Sequence, residues 1–232
     1  MPSITKSLYF ISSALLTSIS VAVLGFCMST EWAKTAMECT RNGSSFSNGS
    51  AVVTLGPFAT GKMNRIFCPL FGSQDDFNIF QRLADLGVAP FVLHIVVVCL
   101  LVLCLVFSGG SILISLYNSV SNPYETYMGP IGLYVCSSLS AFFSFLVLLI
   151  FALNVTLTSM AEDLVQSFAN PLLAQFRNKT SEMQLGYYLV LLHTGLSLFV
   201  VALIYFYDHA AYTQRREQQK PTEDAPKEIM MY

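Results

Sequence analysis

The chain has 232 residues, of which 54% are hydrophobic and only 11% charged, with a formal net charge of −2. Soluble domains carry about 25% charged residues, so this composition excludes an ordinary water-soluble globule. Its near-balanced charge provides no surface for nucleic acid or for a strongly acidic or basic partner.

The apolar residues gather in four runs, 8–28, 89–116, 130–153 and 187–207, each at or above the roughly 20 residues that cross a hydrocarbon core. They predict an all-α membrane protein, a bundle of four transmembrane helices running up and down through the lipid bilayer. Segments 1–7 and 208–232 are then tails on one side, 29–88 and 154–186 loops on the other, and 117–129 a turn. The first run reads as a retained signal anchor: it exceeds the roughly 7–15 apolar residues of a signal peptide, and VAVLGFCMS offers no A-x-A cleavage site. Lysine and arginine occur on both sides and orient the bundle poorly. The acceptor sequons decide better, because Asn42, Asn48, Asn154 and Asn178 all fall in the first and third connections. Both termini are therefore expected in the cytosol of a plasma-membrane protein. Asn154, beside the end of the third run, is expected to be unmodified; Asn42, Asn48 and Asn178 are the better acceptors.

The first connection holds the lone tryptophan, Trp32, with two readings: an anchor at the headgroup level, or a group packed under a small extracellular β-layer. SAVVTLGPF, from Ser50 to Phe58, is rich in β-branched residues and bounded by turn signals, so strands are expected there. Phe77 to Leu86 reads as a short helix. Of six cysteines, Cys27, Cys99, Cys104 and Cys136 lie in membrane runs and read as small buried apolar residues. Cys39 and Cys68 remain, in an oxidising compartment. A bridge between them closes a loop of about 30 residues, worth roughly 3–4 kcal/mol in the chain-entropy model. In the third connection Leu157, Met160, Ala161, Leu164 and Phe168 keep helical spacing. They predict an outward continuation of the third helix as an amphipathic stalk, ended by Asn170-Pro171 and packed on the first loop.

Gly132, Cys136, Ser140 and Ser144 recur every fourth residue and predict a smooth stripe for helix packing. Ala14, Ser18 and Ala22, with Ser111 and Ser115, extend two uses: holding the four helices together, or lateral association with other membrane proteins. His94 and His193 lie at similar depths from one end of the bundle and are expected to hydrogen-bond between helices, with pH sensing and metal binding as sharper readings. Two histidines without a carboxylate make a poor zinc site. Met230 and Tyr232 in the tail resemble a ligand for a PDZ domain. There is no H-E-x-x-H, nucleophile elbow or phosphate-binding glycine loop; no catalytic residue, metal or cofactor is expected.

SNPYETYMGPIGLY after the second run, the lone tryptophan beyond the first, GPF in the first loop, Cys68, His94 in VAPFVLH and the ending MMY together resemble the clarin family over the whole chain. The resemblance implies a tetraspan membrane glycoprotein of the broader claudin-like superfamily, structural or regulatory and not enzymatic. Clarins are associated with sensory hair cells, synapses and actin-linked membrane organisation. Claudins carry a G-L-W-C-C signature, whereas here Trp32, Cys39 and Cys68 stand far apart, so barrier formation is not implied. The function expected is that of a membrane organiser, scaffold or adhesion-type protein, with an auxiliary subunit of a channel or transporter as the alternative.

Overall fold

The computed structural model describes residues 3–41, 49–58, 61–66, 68, 73–120, 129–169 and 174–219. Four long helices dominate it: α1 (Ser3–Met28), α3 (Val88–Val120), α4 (Pro130–Leu157) and α6 (Leu185–Gln219), with the short helix α2 (Ile79–Leu86) ahead of α3. All four are long and apolar enough to cross a membrane, over Ile4–Met28, Val88–Val120, Pro130–Leu157 and Leu185–Gln214. At 1.5 Å per residue, the 33 residues of α3 extend about 50 Å, well beyond a hydrocarbon core of about 30 Å. Pro130 begins α4 at a position where its missing N–H costs no hydrogen bond.

Each long helix packs on two neighbours in the cyclic order α1, α3, α4, α6. Large apolar side chains such as Leu15, Val106, Leu113, Phe142 and Phe199 point outward and are exposed, as lipid-facing groups must be. The inward positions alternate at spacings of three and four. In α3 these are His94, Val97, Leu101, Cys104, Ser108, Ser111, Ser115 and Asn118, all buried. Phe10, Ser13, Thr17, Ser20, Leu24 and Cys27 repeat the pattern in α1, and Val190, His193, Ser197, Val200, Ile204 and Tyr207 in α6. An average period of 3.5 is that of a left-handed coiled bundle.

A five-stranded sheet, antiparallel at every pairing, covers one end of the bundle in the order β4-β3-β2-β1-β5. Strands β1 (Ala33–Arg41), β2 (Gly49–Leu55), β3 (Gly61–Ile66) and β4 (Ser73–Phe77) come from the first connection, and β5 (Ala174–Met183) from the third. The sheet is thus not confined to the first loop, as the sequence reading had it. Ala51, Val53 and Leu55 of β2 are buried while Val52 and Thr54 are half-buried, the alternation expected of a one-sided strand. A Cys39–Cys68 disulfide, with its Cα atoms 5.5 Å apart, ties β1 to the segment after β3.

The expected stalk is broken. Helix α4 stops where Thr158 turns extended (φ −88°, ψ 151°), and α5 (Met160–Ala169) starts afresh as a separate helix, with the Ser159 hydroxyl donating to the Asp163 carboxylate at 2.8 Å. Its apolar face does pack on the first connection. Phe168 meets Phe77 with ring centroids 5.8 Å apart, and the Arg82 and Arg65 guanidinium groups lie 4.4 and 5.5 Å from the Phe168 ring. Asn78 caps α2 through its side chain, which accepts from the Phe80 N–H at 3.1 Å.

Trp32 joins sheet and bundle. It is wholly buried, packed under the sheet, and its indole N–H donates to the Cys27 carbonyl at 2.7 Å. Its ring stands edge-on to Phe151 of α4, centroids 5.1 Å apart. The Trp32 main chain bonds Leu55 on one side and Gln184 on the other. Gly186 lies directly against the indole: a Cβ there would clash with Trp32 Cδ1 and stand 2.5 Å from Thr30 Oγ1, so only glycine permits this approach.

Candidate functional site

The seam between the helices is polar where the outside is apolar. At its centre His193 of α6 reaches two other helices: Nδ1 lies 2.6 Å from Ser20 Oγ and 3.1 Å from the Ser20 carbonyl in α1, and Nε2 lies 3.2 Å from Ser140 Oγ in α4. Ser140 Oγ is 2.8 Å from Ser108 Oγ and donates to the Cys104 carbonyl at 3.4 Å, both in α3. One imidazole thus links all four helices. A neutral imidazole has one donor and one acceptor nitrogen and a serine hydroxyl one proton: with Nε2–H donating to Ser140 and Nδ1 accepting from the Ser20 hydroxyl, the Ser140 proton goes to the Cys104 carbonyl and the network closes, whereas in the other tautomer Nδ1–H donates to the Ser20 carbonyl and Nε2 takes the Ser140 proton in place of Cys104.

Further hydroxyl pairs lie above and below: Ser13–Ser115 at 3.3 Å, Ser111–Ser137 at 3.0 Å and Ser144–Thr194 at 2.8 Å. In a bilayer such pairs hold helices together because the alternative is a hydroxyl in hydrocarbon, each being worth about 0.6 kcal/mol on average and up to about 1.7.

His94 belongs to a different contact. Its Nε2–H donates to the Pro57 carbonyl at 3.0 Å, and its ring is edge-on to Phe80 at 5.3 Å. The two histidines are not brought together; one ties the bundle internally and the other fastens the turn after β2 to the end of α3. Among the described residues there is no group of three or more His, Cys, Asp or Glu placed to hold a metal ion.

Of the expected packing stripe, Ser140 and Ser144 are buried in the seam while Gly132 and Cys136 are only partly covered. A strict four-residue repeat advances about 400° per step and drifts around the helix; the buried face instead follows Leu133, Ser137, Ser140, Ser144 and Val147. Gly132 and Cys136 still border α3: a Cβ on Gly132 would lie 3.5 Å from Ile114 Cδ1, and one on Gly110 3.7 Å from Cys136 Sγ. Ser111 and Ser115 face inward and are bonded there, so they are not part of a lateral surface, and Ala14 is likewise buried. Ser18 and Ala22 are exposed. Ser20, Ser108, Ser137 and Thr194 were missed by the sequence reading; the three–four spacing of serines 108, 111, 115 and 137, 140, 144 was the available signal.

Asn154 is buried in α4, with its amide 3.9 Å from Met160 Sδ. Asn178 is exposed on β5. Asn42, Asn48, Met230 and Tyr232, with the turn residues 121–128, lie outside the described residues.

A bundle of four membrane-length helices, knit by interhelical hydroxyl and imidazole bonds and capped by a sheet from both connections, defines a tetraspan, multi-pass membrane protein. A sequence model described as Clarin-2-like matches residues 4–195. Clarin-3 of Mus musculus is 32% identical over 235 residues, Clarin-3 of Homo sapiens 31% over 232 and Clarin-3 of Rattus norvegicus 34% over 235, each with 100% of both chains covered. The chain belongs to the clarin family.

Proposed function

We propose that the chain is a non-enzymatic membrane organiser, a scaffold or adhesion-type glycoprotein of the plasma membrane with both termini in the cytosol and a claudin-like arrangement of sheet on bundle. The observation that carries this reading is the single sheet built from both connections and pinned to the helices at Trp32. A surface so tied to the bundle holds a fixed shape toward its surroundings, which suits presentation to partners. His193 and His94 are engaged in interhelical and loop contacts, consistent with a structural role for the polar seam. On this reading the tail, through Met230 and Tyr232, recruits a PDZ-domain protein and through it the actin cytoskeleton.

Proximity labelling from an intact C-terminus in a native epithelium tests the proposal. PDZ-domain and actin-linked proteins are expected, the PDZ-domain proteins disappearing when the last three residues are removed. The second reading, an auxiliary subunit of a channel or transporter, draws on Ser18, Ala22 and Gly25, which are exposed on α1, with open space beside Gly25. A single dominant channel or transporter among the labelled proteins would establish that reading instead.

A further inference from the structure

Ser20, His193, Ser140 and Ser108 are bonded in sequence across the four long helices and so mark one height in the bundle. At 1.5 Å per residue, the sheet-side ends of α1 (Met28) and α6 (Leu185) lie about 12 Å above it, whereas those of α4 (Leu157) and α3 (Val88) lie about 25 and 30 Å above it. The uncharged stretch of α1 after Lys6 runs for about 33 Å, which fits a hydrocarbon core of about 30 Å. Glu31 and Glu182 close that flank just beyond the ends of α1 and α6. Helices α3 and α4 therefore rise about 15 Å above the limit set there. Their exposed side chains in this upper part are Val88, Val92 and Val96 of α3 and Leu149, Leu153 and Leu157 of α4. His94 and Asn154 on the same stretch are turned inward and buried, and the Thr156 hydroxyl donates to its own helix at the Ala152 carbonyl. Neither helix contains a charged residue.

We propose that this outer face of α3 and α4 is the interface of a homodimer, with the part above the bilayer supplying most of its stability. A wall two helices wide, about 20 Å, and about 15 Å high presents about 300 Å², the scale at which an apolar patch in water marks an interaction site. Lipid is a poor cover for it, because acyl chains would have to climb by about half a core thickness over the level of the opposite flank. The wall continues downward into the lipid-facing strips that hold Val106 and Phe142, so its partner arrives sideways within the membrane. A second copy related by a two-fold axis along the membrane normal brings an identical wall to the same height. Contact along the 28 residues of α4, about 40 Å by 20 Å, gives about 800 Å² per partner, the size of a standard stable interface. Apolar helix faces gain no hydrophobic drive from meeting inside lipid; above the bilayer, water supplies it. The exposed Ser18 and Ala22 of α1 stay free on the other flank, and the inference holds for either orientation of the bundle.

The test places the full chain in phosphatidylcholine vesicles over a range of protein-to-lipid ratios. Copies per particle are counted by stepwise bleaching of a C-terminal fluorophore. In parallel, V92C is made in a C99S background, which removes the exposed native thiol, and its reaction with a charged maleimide present on both sides of the vesicle is timed. Dimers are expected, and V92C should be protected at high density and react at least about tenfold faster once dilution separates the copies. V92S/V96S/L153S should weaken dimerisation at least about tenfold while keeping the Cys39–Cys68 bridge and the emission of Trp32. L191A/L198A, on the exposed face of α6, should dimerise as the wild type does. Protection of V92C at every dilution would put lipid on the wall, and rapid reaction at every density would put water there; either overturns the proposal. A monomeric wild type does so too, as does undiminished dimerisation of the folded triple variant or an equal loss in L191A/L198A. The V92C kinetics decide the matter even where the triple variant does not fold.

Discussion

Replacing Gly186 with alanine tests the junction of sheet and bundle most directly. The added methyl meets Trp32 Cδ1 and lies 2.5 Å from Thr30 Oγ1 and 2.7 Å from Trp32 Nε1, distances that require the indole or the start of α6 to move. Overpacking of this kind costs about 1–3 kcal/mol. Displacement of the indole also breaks its bond to the Cys27 carbonyl and leaves a buried donor unpaired, for about 1–3 kcal/mol more. At about 2–4 °C per kcal/mol for a chain of this size, the midpoint of unfolding in detergent should fall by about 4–24 °C. Trp32 is the only tryptophan and is fully buried, so its emission reports the same event without a label and should shift to the red. Gly25→Ala, where nothing lies within 4 Å, is the control and should leave emission and midpoint unchanged or slightly improved. An unchanged midpoint and unchanged emission for Gly186→Ala would refute the role given to the junction.

His193→Leu should destabilise by about 1–3 kcal/mol, because it removes the imidazole bonds to Ser20 and Ser140, each worth about 0.5–1.5 kcal/mol; a double-mutant cycle with Ser140→Ala should show coupling of at least about 0.5 kcal/mol, and additive effects would argue against the four-helix link. Cys39→Ser and Cys68→Ser should each cost about 3–4 kcal/mol, with the double variant no worse than either single one, as measured by unfolding midpoint and by the loss of a mobility difference on reduction. Ser140→Leu should impair folding and export, since its position is buried and bonded to two other helices. Gly132→Leu should be tolerated better, its new side chain meeting chiefly the flexible Ile114 tip; equal effects would mean that the interior face of α4 is wrongly assigned.

The membrane helices were legible because burial in lipid demands long apolar runs, which composition alone reveals. Strand β5 was not, because AQFRNKTSEM is polar and lies at a sheet edge; its pairing is specified by main-chain hydrogen bonds to β1 rather than by a buried apolar face. The stalk failed for a related reason: helical spacing persists through residues 157–168, but the extended Thr158 and the Ser159 contact with Asp163 separate two helices that share it. The small-residue stripe was half readable. Ser140 and Ser144 satisfy both a four-residue and a 3.5-residue repeat, whereas Gly132 and Cys136 satisfy only the first. His94 and His193 stood out as polar groups in apolar runs, but their partners, Pro57 on one hand and Ser20 with Ser140 on the other, come from distant segments that no local pattern names.

Pairing of β1 with β5, in which Ala33 meets Met183 and Lys34 meets Glu182, sets an order on biosynthesis. Strands β1 to β4 can form a hairpin ladder as soon as the first connection has been synthesised. Until the third connection follows, β1 has an empty edge and Trp32 lacks the cover of Gly186. Non-local pairing is slow and leaves such edges open to misassembly. Strand β5 and the first residues of α6 therefore complete the fold of the first loop, and a chain interrupted anywhere before β5 leaves the edge of β1 unpaired, however well its first three helices have formed.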